Sequence, residues 1–159
     1  MTFDPRDFRN ALGSFATGVT IITGLNRDGG PVGATVSSFN SVSLDPPLIL
    51  FSLDNKSETL GPLKETGRCL VNVLAEGQED LSNKFAVSGA ASWDGIEYDT
   101  WDSGCPVLPG ALAYFDCTVF ATHPGGDHVI FVGQVERFET VEGVRPLLFH
   151  GGRYGKLAD

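Results

Sequence analysis

Beyond residue 18 the chain is cut into short runs of β-branched and apolar residues, closed by glycine, proline, asparagine or aspartate. The runs are Val19–Thr23, Val32–Val36, Leu48–Leu53, Cys69–Leu74, Ala113–Ala121, Val129–Phe138 and Leu147–His150. Many short strands at this spacing, with few helices between them, argue for a barrel or sandwich. Asn26-Arg-Asp-Gly-Gly30 has the chemistry of a hairpin turn. Two short helices are expected to interrupt, one from Ser57 to about Thr66 and one from Glu79 to about Ala86. Ser88–Pro109, which holds Trp93 and Trp101, reads as a long loop, and a loop of that length in a compact domain usually has a task. No linker, repeat or low-complexity tract divides residues 1–159, so a single domain is expected.

The N-terminus carries a helix signature. Asp4 suits the cap, Pro5 the first helical position, and Asp7 puts a carboxylate in the first turn. Phe3 and Phe8 have the spacing of a hydrophobic staple, Phe8, Leu12 and Phe15 mark one face, and Gly18 is the expected stop. At 159 residues and 42% hydrophobic content, the chain can bury a real core. A net charge of -9 is a poor match for nucleic acid or an anionic membrane surface. Cys69, Cys105 and Cys117 are odd in number and without paired spacing, which points to reduced thiols, two of them in core strands. No stretch has signal-peptide form or membrane-spanning length, so a soluble cytoplasmic protein is expected.

Dinucleotide-fold, P-loop and nucleophile-elbow signatures are absent. Four other places carry candidate chemistry. Thr35-Val-Ser-Ser38, with Ser41 and Ser43, offers hydroxyls and amides to the edge of a heterocycle, or is a serine-rich turn on a solvated face. Ser52-Leu-Asp-Asn-Lys-Ser57 precedes an expected helix start, where amides, Lys56, Asn55 and Ser57 would welcome a phosphate; plain capping by Ser57 is the alternative. Gly125-Gly-Asp-His-Val129 puts His128 in a turn opening a strand, with Asp127 either orienting the imidazole or capping its own backbone. His123 lies nearby without a convincing ligand set, so no metal is expected. The tail Gly151-Gly-Arg-Tyr-Gly155 would bring Tyr154 to a ligand, or is flexible.

Taken in order, Ala16-Thr-Gly-Val-Thr20, Ala34-Thr-Val-Ser-Ser-Phe39, Ser43-Leu-Asp-Pro-Pro47, Asn72-Val-Leu74, Leu108-Pro-Gly-Ala-Leu112, Gly126-Asp-His128 and Gly152-Arg-Tyr154 form a set. From about Phe8 to Leu157 this set resembles the flavin reductase-like family, the small reductase components of two-component flavin-dependent monooxygenases. The resemblance implies a mainly β fold: an FMN-binding split β-barrel, Greek-key-like, with a few short flanking helices. It further implies a homodimer with flavin near the subunit interface. The implied reaction is reduction of FMN or FAD by NADH or NADPH, with the reduced flavin passed to a partner monooxygenase. Two other readings stay open, an FMN-holding electron-transfer protein and a flavin carrier without turnover. By matching position, Thr35, Val36, Ser37 and Ser38 would face the isoalloxazine and ribityl chain. Ser52, Leu53, Asn55, Lys56 and Ser57 would lie near the phosphate, and Lys84 and Phe85 would border the outer part of the flavin. His128, with Asp127 beside it, would serve the nicotinamide, and Tyr154 would lie near the ring. Such chemistry asks for bound and aligned rings, not for a catalytic triad.

Overall fold

The computed structural model describes residues 2–87 and 93–159 and begins with a helix shorter than expected. Helix α1 spans Pro5–Leu12. The Asp4 carboxylate accepts from the amides of Arg6 and Asp7 at 2.8 and 3.2 Å, and the Phe3 and Phe8 rings stack 5.9 Å apart. Cap and staple are thus as expected, but the helix ends at Gly13 and not at Gly18. The Ser14 and Phe15 amides reach back only three residues, to Ala11 and Leu12, and the winding is lost. Thr17–Gly18 instead forms strand β1. No residue of α1 is buried, and Phe8, Leu12 and Phe15 all stay exposed.

The chain continues through β2 (Thr20–Leu25), β3 (Pro31–Val36), β4 (Asn40–Leu44), β5 (Pro47–Asp54), α2 (Leu60–Thr66), β6 (Arg68–Val73) and α3 (Glu79–Phe85). It then forms β7 (Asp99–Thr100), β8 (Pro106–Val107), β9 (Ala113–Gly125), β10 (His128–Thr140), β11 (Leu148–His150) and β12 (Arg153–Gly155). The main sheet has seven strands in the order β3-β2-β6-β9-β10-β5-β4, each pair antiparallel. β1 joins β11 and β12, and β7 pairs with β8. The β2–β3 hairpin is the expected one: Asn26 Oδ1 accepts from the amides of Asp28 and Gly30 at 3.0 and 2.8 Å, and Gly29 takes a positive φ of 85°.

Ser37, Ser38 and Phe39 join β3 to β4, the two outermost strands of the main sheet. So short a connection forces the sheet to curl until its edges face each other, yet backbone pairing does not close the ring. The architecture is a split β-barrel. Inside it, Phe51 and Phe131 stack 5.3 Å apart and nearly parallel, among Ile22, Leu53, Leu63, Val71, Cys69 and Cys117. Cys69 and Cys117 face each other in register and are fully buried, as expected for core residues. A hydrogen bond with Cys117, then burial, pushes the Cys69 thiol well up, and burial pushes Cys105 up; thiols held protonated in this way are inert.

The helix expected from Ser57 begins at Leu60. The Ser57 amide donates to Asp54 O at 2.9 Å and the Lys56 amide to Asp54 Oδ1 at 2.8 Å, so residues 54–57 form a turn and not a first helical turn. β4, β7, β8 and β12 were not foreseen. The first is serine-rich and lies at an edge, and the others are two or three residues long. Part of the expected Ser88–Pro109 loop is therefore stranded, and residues 88–92 lie outside the described ones.

Asn72, on β6, locks the barrel to the segment that follows β8. Its buried amide donates to Ile21 O at 3.1 Å and to Thr23 Oγ1 at 3.2 Å, and its carbonyl accepts the Leu108 amide at 2.8 Å. A leucine of similar size would leave that amide unpaired in a dry core. Asn72→Leu is expected to lower stability by about 2–4 kcal/mol, read as a lower urea midpoint; an unchanged midpoint contradicts this role.

Candidate functional site

A cleft of about 730 Å³ opens where β3 and the end of β5 face each other across the unclosed side of the barrel. β4 pairs β5 only from Pro47 to Leu50, so β5 is itself an edge beyond that point. Edge strands leave alternate amides and carbonyls unpaired, and here two such edges line one space. Ser38 bridges them: its hydroxyl accepts the Ser52 amide at 2.9 Å and donates to Ser52 O at 3.3 Å. Ser37, next to it, lies exposed on the cleft with no such bond. Thr35 and Val36 also line the cleft, and the Thr35 hydroxyl donates to Ser82 O of α3 at 2.7 Å. Ser41 and Ser43 lie on β4 and are not among the lining residues.

From β5 come Ser52, Leu53 and Asp54, followed by Lys56, Ser57, Glu58 and Thr59. The amides of Asn55, Lys56 and Ser57 already donate to Asp127 O, Asp54 Oδ1 and Asp54 O. An anion here would therefore meet side chains and not a helix terminus. Lys56 is the only Lys or Arg among the described lining residues and joins no ion pair among the described residues. Asn55 does not line the cleft; its amide and its side chain bind Asp127 O and Gly126 O at 2.9 and 3.2 Å, pinning one turn against the other.

That second turn carries His128, opposite Asp54 in the register and on the cleft lip. His128 Nδ1 lies 2.7 Å from Asp127 Oδ1. An ionised carboxylate only accepts, so Nδ1 carries the proton and Nε2 is left as the acceptor of the neutral ring. The same bond holds the Asp127 carboxyl below its ordinary range. Asp127 itself is solvent-exposed and does not line the cleft.

The far wall is α3. Phe85 lines the cleft, while Lys84 donates to Asp94 O and does not. Tyr154 stands behind the wall: its hydroxyl bonds Ser82 Oγ at 2.7 Å and Asn83 Oδ1 at 2.8 Å, and its ring packs on Phe149. Tyr154 and Thr35 thus grip α3 from two sides. Sequence reasoning missed Gly33, Glu58, Pro62 and Trp93 as lining residues. A glycine inside a β-branched run was the available signal for Gly33, since such a glycine marks a close approach. Among the described residues no group of three or more His, Cys, Asp or Glu side chains is set to hold a metal, and no helix is long and apolar enough to cross a membrane.

The chain belongs to the flavin reductase-like family, for the model of the flavin reductase like domain matches residues 12–158. It is 44% identical over 153 residues to a flavin-dependent monooxygenase reductase subunit, HsaB, of Mycobacterium tuberculosis, covering 95% of this chain and 81% of that protein. It is likewise 44% identical to the FMN reductase (NADH) SmoA of Agrobacterium fabrum, covering 96% and 86%. Among solved structures it is similar to the NADH:FAD oxidoreductase SgcE6 of Streptomyces globisporus in complex with NAD and FAD fragments. There the TM-score is 0.91 and the identity 34%, over 99% of this chain and 97% of that one.

Asp127 supplies a pH test. Its carboxyl is expected to titrate below the normal aspartate range while His128 is present, and to move up toward it in His128→Ala. The carboxyl carbon shift in NMR reads both, and an identical midpoint contradicts the pairing.

Proposed function

We propose that this protein reduces flavin with NADH in the cleft between β3 and β5 and passes the reduced flavin to a monooxygenase partner. The observation that carries the reading is the free β3 edge and one unpaired lysine lining the same cleft. The β3 edge offers amides and carbonyls to a flat heterocycle, and Lys56 offers charge to its phosphate. The family supplies the rest: a relative is named as a monooxygenase reductase subunit and another as an FMN reductase using NADH.

When bound, the flavin supplies the redox chemistry, accepting a hydride from NADH. The chain's residues bind and orient. Ser37 and the backbone of Thr35, Val36 and Ser38 meet the ring, because the Thr35 and Ser38 hydroxyls are held by Ser82 and Ser52. Lys56 and Ser57 hold the phosphate, with Ser52 and Leu53 beneath. Asn55 acts through the turn that it pins, as Lys84 and Tyr154 act through α3. His128 presents Nε2 as an acceptor, suited to an N–H of the nicotinamide carboxamide, and Asp127 keeps the ring in that tautomer. No group in this set need give or take a proton in the step.

A homodimer would give cover to exposed apolar side chains such as Phe15, Leu44, Phe120 and Phe138, and sedimentation velocity reads the mass. A cytoplasmic setting suits the three free thiols.

The functional test is NADH oxidation in air with and without added FMN, FAD or riboflavin. Oxidation that requires and saturates with added flavin supports a reductase that releases its product. A tightly yellow protein without turnover points instead to a carrier. Lys56→Ala is expected to raise the Kd for FMN roughly tenfold or more and leave that for riboflavin, which lacks the phosphate, unchanged. Equal losses for both ligands contradict the role given to Lys56. His128→Ala is expected to raise KM for NADH while FMN affinity holds; an unchanged KM contradicts its role.

A further inference from the structure

One end of the cleft is apolar and depends on a glycine. Gly33 lies in mid-strand without a positive φ, so its missing side chain answers to space and not to backbone conformation. A Cβ there would stand 3.1 Å from Phe85 Cδ1 and 3.2 Å from Trp93 Cζ2. The half-buried indole of Trp93 meets Phe85 edge-on at 4.8 Å, and Tyr98 meets Trp93 at 5.3 Å. Lys84 Nζ, by donating to Asp94 O, ties the turn that carries Trp93 to α3. An indole held this firmly, with part of its surface left in a cleft, is a built wall.

We propose that Trp93, with Phe85 behind it, is the wall against which the dimethylbenzenoid end of the flavin packs, and that Gly33 makes the room for it. This rests on the flavin-reducing reading above. From Gly33 to Ser37 the strand advances about 13 Å at ~3.3 Å per residue, enough to lay a three-ring heterocycle lengthwise. At one end stand the exposed Ser37 hydroxyl and the bridged pair Ser38 and Ser52, and at the other Phe85 and Trp93 form an aromatic surface against the strand backbone. A flavin ring is divided in the same way, with carbonyls and an N–H on its pyrimidine end and methyl groups on its benzenoid end. The reverse orientation would press the polar end against indole and phenyl edges and leave its groups unpaired. Trp93 is thus a binding residue of the site, placed on a segment to which the sequence assigns no role.

The test is FMN titration with two readouts, bound FMN by ultrafiltration and the emission of that bound FMN. An excited flavin in contact with an indole is quenched by electron donation from it, whereas a phenyl ring does not donate. Wild-type protein should bind FMN with its emission strongly quenched. Trp93→Phe should bind within about threefold of wild type but with emission restored, and Trp93→Ala should bind about tenfold more weakly. Trp101→Phe, whose indole instead stacks on Arg137 at 3.9 Å, should remain quenched. Gly33→Val, which pushes both rings into the cleft, should lose at least about tenfold in affinity with unchanged circular dichroism. Bound FMN that stays quenched in Trp93→Phe, or wild-type affinity in Trp93→Ala, overturns the wall and leaves the flavin reading standing. Wild-type protein that retains no FMN and shows no saturable emission change overturns both.

Discussion

Three residues, Ser37 to Phe39, join the two outermost strands of a seven-stranded sheet, and the rest of the molecule follows from that span. From Val36 to Asn40 the chain can reach at most about 14 Å. A twisted sheet of this size can meet that limit only by curling until β3 comes round to β5. β4 then occupies the first half of β5 and stops at Leu50, so Ser52 to Asp54 have no strand partner on the side facing β3. The cleft is what an incompletely paired barrel leaves open. The Ser38 hydroxyl, bound to both backbone groups of Ser52, holds the gap at a fixed width without filling it.

This geometry explains why the site needs so little chemistry. The outer edge of β3 supplies donors and acceptors suited to a flat ligand, and one lysine at the turn supplies charge. The turns around Asn55 and Asp127 brace each other, so His128 is held at the lip by backbone and not by a flexible loop. On the other side α3 is gripped by Thr35 and by Tyr154, and through Phe85 it passes that rigidity to the apolar end of the cleft. Buried, protonated thiols and the satisfied Asn72 network keep the interior unreactive while the rim does the binding.

Much of the fold was legible from periodicity. The longer strands, the Asn26 hairpin and the capped first helix all lie in local patterns of residues, and the structure has them within a residue or a few. The helix ends were less legible, because the Gly13-Ser14 pair ends α1 before Gly18 and the Asp54 side chain draws residues 54–57 into a turn ahead of α2. β4 was invisible because its serines and asparagine have no core face to show. Of the residues the sequence singled out, Thr35–Ser38, Ser52, Leu53, Lys56, Ser57, Phe85 and His128 line the cleft, since turn and edge chemistry is local. The partners of Tyr154, Asn55 and Lys84 were not legible, because each reaches across tertiary contacts that no spacing encodes. Trp93 was hidden for the same reason: only the approach of its indole to Gly33 shows that it belongs to the cleft.

Flavin binding is proposed at the unclosed seam between β3 and β5. Amide hydrogen exchange with and without FMN tests it directly. Slowed exchange is expected within residues 33–38 and 52–59 and at His128, with β7, β8 and the residues flanking Phe120 and Phe138 unaffected. Protection that falls on those remote strands, with residues 33–38 and 52–59 unchanged, would contradict it.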